Sequence, residues 1–182
     1  MDFQFLSAFE EDWQPVSKAA LTGWLVFYGL FFLYILSSKT GYLLTDYIFL
    51  PIHEGGHLLF GWFGQMLGVM GGTLLQLGVP LALAVYFAYH RQTVAMAFTL
   101  FFFFENFLNV AIYMADARRL ELQYVTVGDP DFAEHDWTFI FSHFGVLEQD
   151  IRIAAVVRIL GWLGMLASVG WLVRRARPAS GH

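Results

Sequence analysis

No cysteine occurs among the 182 residues of the chain. That excludes disulfides, thiolate metal ligands and a cysteine nucleophile, and it leaves the redox compartment open. Charge is scarce too: 14% of residues, where a soluble domain of this size carries roughly a quarter. Ten basic residues stand against fifteen acidic ones, a formal net charge of −5. The clustered Lys and Arg that nucleic-acid binding needs are missing, so no nucleic acid is expected as a partner. Proline is confined to five positions, two of which, Pro51 and Pro80, interrupt long apolar runs.

What is present is apolar: 58% of residues are hydrophobic and 19% aromatic, with a mean hydropathy of +0.56. A bilayer crossing takes about 20 predominantly apolar residues. Spans can be drawn at about 19–38, 43–64, 69–89, 92–115 and 152–173. The sequence therefore predicts an all-α polytopic membrane protein with about five transmembrane helices and one ordered extramembrane loop. Residues 1–18 read as an N-terminal interfacial segment, with Phe3, Phe5, Leu6, Phe9 and Trp13 forming the apolar face of a short helix. Residues 19–173 form the transmembrane domain in the lipid bilayer, and 174–182 a basic tail. The loop at 116–150 is polar and acidic, and within it "ELQYVTV" reads as a short strand ending in a Gly-Asp-Pro turn. Cytoplasmic loops carry an excess of Lys and Arg. Arg174, Arg175 and Arg177 thus place the C-terminus in the cytoplasm and, with five spans, the N-terminus outside.

The second span contains "PIHEGGHLLF" at 51–60. Residues four apart on a helix share a face, so His53 and His57 can bind one metal, with Glu54 beside them as general base. This is the zinc-protease arrangement of two His ligands, a third protein ligand and a metal-acidified water. Other divalent metals accept the same donors. Ionisable groups cost a few kcal/mol each in a membrane interior, so they tend to be functional. The plain alternative is a trio of buried polar residues hydrogen-bonded to neighbouring helices.

His53-Glu54-Gly55-Gly56-His57 in an apolar span resembles the intramembrane zinc metalloproteases of the site-2 protease type. A Gly-rich stretch, "GVMGGTLLQLGVP" at 68–80, follows where that family often has one beside its active site. "NVAIYMADARRL" at 109–120 is similar to the family's Asn…Asp-Gly segment, with Ala117 where the family has glycine. The resemblance implies a zinc protease acting on a membrane-protein or peptide substrate, with Asn109 contacting substrate and Asp116 as third zinc ligand.

Depth offers a second view. At about 1.5 Å per helical residue, counted from 43 and 92, His53 lies ~15 Å deep, His57 ~21 Å and Glu105 ~20 Å, while Asp116 lies ~36 Å along. Glu105 is thus expected level with the HEGGH face, with Asn106 and Asn109 close by on its span. His135 and Asp136 form a third candidate group, on a loop able to fold back over the second span. The third ligand stays open among Glu105, Asp116 and His135, with Asn106, Asn109 and Asp136 as supporting residues. Two functions fit: a membrane-embedded zinc metallohydrolase using Glu54 as base, or a non-proteolytic metal-binding accessory or scaffold subunit of a larger membrane complex. A proton relay through Glu105 and the histidines is a third.

Overall fold

The computed structural model describes residues 12–122 and 135–176. The expected interfacial residues before 12, most of the expected strand and Arg177 lie outside these. The described residues are helical, with no strand among them. Helix α1 spans Lys18–Ser37, α2 Leu44–Phe60, α3 Gln65–Tyr89, α4 Thr93–Ala115, α5 Asp136–His143 and α6 Asp150–Ala176. Short 3₁₀ turns occupy Gly61–Phe63 and Leu147–Gln149. Four helices are long and apolar enough to cross a membrane: α1, α3, α4 and the Leu147–Ala176 stretch containing α6.

Aromatic and small residues set the packing. Phe101 and Tyr28, both fully buried, meet with ring centroids 4.7 Å apart, and Trp24 lies 5.6 Å from Phe98. These pairs rise together along both chains, so α1 runs parallel to α4. On the other side Gly161 and Gly164 of α6 lie against Phe104, Phe107 and Leu108, where any Cβ would crowd α4. Without water to drive helices together, such close approach of small residues is how membrane helices adhere.

At one end of the bundle the Gln14 amide donates to the Arg91 carbonyl (2.9 Å), Thr93 donates to the Gln14 carbonyl (2.6 Å), and Trp13 packs on Trp171 at 4.7 Å. The segment before α1 and the end of α6 therefore share one end. The opposite end gathers the Gly61–Phe63 turn, Asp116 and α5.

The expected second span departs from the drawing. At 17 residues, α2 is about 25 Å long, short of a hydrocarbon core of about 30 Å. It also begins inside the bundle. Thr45, in its first turn, donates to Glu105 Oε1 at 2.6 Å, and Glu105 lies ten residues before the end of α4, or ~15 Å. The chain leaves α1, turns inward through Gly41 and rises back to the same end. Gly41 has φ +78° and a Cβ there would strike Ile112, so this turn needs glycine. The Asp46 carboxylate accepts from the Leu43 amide (2.6 Å), closing the helix start. Residues 38–60 thus form a re-entrant segment, with Leu43, Asp46, His53 and Gly56 buried and Leu44, Tyr47, Ile48 and Leu58 exposed along its outer face. This also corrects the depth count: Glu105 stands level with the first turn of α2, not with its histidines.

Candidate metal centre

Two glycines let α2 and α3 touch. A Cβ on Gly56 would overlap the Gly71 carbonyl, and one on Gly71 would overlap Gly56 and Phe60. One turn on, a Cβ on Gly72 would overlap the Nε2 atoms of both His53 and His57. The Gly-rich stretch of α3 is therefore the wall against which the two imidazoles stand.

Each imidazole has one nitrogen committed. His57 Nδ1 lies 2.8 Å from the Gly68 carbonyl, and His53 Nδ1 lies 2.9 Å from Gln76 Oε1. Both partners are carbonyl oxygens that only accept, so each Nδ1 carries the proton. The Nε2 atoms point at the remaining partner, Asp136 Oδ2, at 3.1 Å for His53 and 3.3 Å for His57. With both rings neutral, the two Nε2 lone pairs and the carboxylate would meet there as three donors. The ligand atoms lie within 4.8 Å of one another, and ligands ~2.0–2.1 Å from a tetrahedral zinc would stand ~3.3–3.4 Å apart. The donor set and its spacing fit zinc. His53 and Asp136 are buried, at 8% and 6% exposure, while the His57 side chain is 25% exposed. The group is most exposed at His57, and Glu54 of the same helix is half-buried.

The other candidates are engaged elsewhere. Asp116 caps α4 and accepts from the Glu121 and Leu122 amides at 3.0 and 3.1 Å. His135 caps α5: its Nδ1 accepts from the Trp137 and Thr138 amides, and its Nε2 lies 3.8 Å from Asp116 Oδ2. With Nδ1 accepting, Nε2 carries the proton and turns it to Asp116, so neither nitrogen is free to ligate. Burial lowers its pKa, more than Asp116 and Asp136 raise it. Glu105 is bound to Thr45, away from the histidines. The structure thus brings Asp136, expected only as a supporting residue, to His53 and His57, and does not bring Glu105, Asp116 or His135 there.

Asn106 and Asn109 reach the centre through a residue the sequence reading passed over. The Gln76 amide donates to Asn106 Oδ1 at 2.9 Å and Asn109 Oδ1 at 3.0 Å while its oxygen faces His53. The available signal was a lone primary amide amid the apolar residues of the Gly-rich stretch. Tyr113 was also missed; its ring lies 4.3 Å from that of His135, and its hydroxyl accepts from the Asp136 amide at 3.4 Å.

No protein-family model, curated protein or solved structure matches the chain.

Proposed function

We propose that the protein is a membrane-embedded metallohydrolase, akin in chemistry to the site-2 proteases. His53, His57 and Asp136 would hold a zinc-class ion. Such an ion supplies Lewis acidity and lowers the pKa of a bound water towards ~7. Glu54, next in chain to His53, accepts a proton from the water that attacks a substrate carbonyl. Gly72 keeps α3 clear of both rings, and α5 carries the third ligand across the mouth of the site. A ligand from an extramembrane helix replaces the Asp116 that the family resemblance would use. The substrate best suited to a site near one end of the bundle is a membrane-protein segment or peptide. The observation carrying this reading is the convergence of two Nε2 lone pairs and a carboxylate, each imidazole being held by a carbonyl at Nδ1.

For sidedness we propose that both termini face the cytoplasm and the metal centre faces outward. An even number of crossings puts Arg91, Arg174 and Arg175 together on one side, as the distribution of basic residues in membrane proteins favours. This replaces the N-out arrangement expected from five spans.

The test is hydrolysis of a helical membrane peptide by purified protein. Glu54→Gln should abolish turnover while keeping the metal. Full turnover by that variant would overturn the role of Glu54. A metal-loaded wild type without turnover would favour the accessory or scaffold reading.

A further inference from the structure

Gln76 is 3% exposed, midway along a helix and flanked there by apolar and small residues. A primary amide there is costly unless its donors and acceptor are met. Its orientation is set from two directions. Asn106 Nδ2 donates to the Phe102 carbonyl at 2.8 Å, a group that only accepts, so Asn106 has its oxygen left for Gln76. Asn109 likewise turns its oxygen to Gln76, accepting from Nε2 at 3.0 Å. Two acceptors on α4 thereby claim the two N–H groups of Gln76. The Gln76 oxygen is then left to His53, and an imidazole can answer an acceptor only with N–H. Reversing any one amide in this chain sets two donors or two acceptors face to face.

We propose that Gln76, held by Asn106 and Asn109, is a positioning residue that fixes His53 as a ligand through Nε2. The relay runs from the Phe102 carbonyl through Asn106 on α4 and Gln76 on α3 to His53 on α2. It rests on the metal-centre reading above and adds to it a control on metal affinity. Because Asn106 and Asn109 are redundant anchors, either alone suffices to orient Gln76. Their simultaneous loss frees the amide to turn over and present N–H to His53.

The experiment is a cobalt(II) titration of the full chain in detergent, read by the visible d–d bands of a tetrahedral ion. Wild type, Gln76→Met, Asn106→Leu, Asn109→Leu and the double asparagine variant are compared. Loss of an outer-shell partner typically costs about 10–100-fold in metal affinity. Gln76→Met and the double variant should both lose that much, and each single asparagine variant much less. Nitrogen chemical shifts of labelled histidine provide a readout that needs no metal: the hydrogen-bonded Nδ1–H signal of His53 should be present in wild type and the single variants. It should be lost in Gln76→Met. Wild-type affinity and an unchanged Nδ1 signal in Gln76→Met would overturn the relay. A wild type that binds no cobalt yet keeps that Nδ1 signal would overturn the metal reading while leaving the relay standing. If Gln76→Met fails to fold, the single and double asparagine variants decide the matter alone, equal effects contradicting redundancy.

Discussion

His53 Nε2 and Asp136 Oδ2 lie 3.1 Å apart although 83 residues separate them in the chain. The first belongs to a re-entrant helix and the second to the opening residue of an extramembrane one. This contact joins the helix that carries both histidines to the segment bearing Asp136, and it makes Asp136 the third member of the group that could hold a metal ion. Asp136 is brought there because the His135 side chain caps the start of α5 and directs the next residue inward.

Gly72 is the small residue that stands directly against both imidazoles. Gly72→Ala should remove metal binding, because a Cβ cannot coexist with the two Nε2 atoms. Overpacking of this kind costs about 1–3 kcal/mol, so the variant should also melt earlier. Gly78→Ala, six residues on, meets nothing within 4 Å and should leave both properties unchanged. Metal analysis and thermal unfolding of the two variants side by side provide the check; equal behaviour would contradict the assignment of Gly72.

The loop is fastened by charge. Arg118 donates to both carboxylate oxygens of Asp150 at 2.7 and 2.9 Å and to Glu148 at 2.7 Å. Asp150 is 1% exposed, and a buried carboxylate stripped of its partner is strongly destabilising. Arg118→Met should therefore lower the thermal midpoint by several degrees. Adding Asp150→Asn to that variant should restore part of the loss. No restoration would show that the pair contributes through something other than charge.

Sidedness can be read directly, since the natural chain has no cysteine. Single cysteines placed at Gln14, Gln92 and Arg175 should react with a membrane-impermeant thiol reagent from the cytoplasmic side only. One at Arg119 should react from the outside only. Opposite labelling of positions 14 and 175 would restore a fifth crossing.

Much of this was legible in the sequence. The long apolar runs identify α1, α3, α4 and α6, because twenty apolar residues have few other uses. The spacing in HEGGH puts His53 and His57 on one helix face, and the structure brings their rings together, with centroids 4.8 Å apart. What stayed hidden depends on tertiary depth. The run at 43–64 is apolar enough to suggest a crossing, and only the Thr45–Glu105 contact shows that α2 starts inside the bundle. From there the count that set Glu105 level with His53 fails. Asp116 and His135 were plausible ligands by type, yet each is consumed by a helix end, a local role that residue type does not announce. Gln76 carried no charge and so drew no notice, although its burial makes its hydrogen bonds obligatory.

The most direct measurement of the central claim is the metal content of the purified protein, compared with that of Asp136→Ala and Asp116→Asn. The account predicts one equivalent of a zinc-class metal in wild type, near-complete loss in Asp136→Ala and retention in Asp116→Asn. A metal-free wild type, or metal lost from Asp116→Asn but kept in Asp136→Ala, would contradict it.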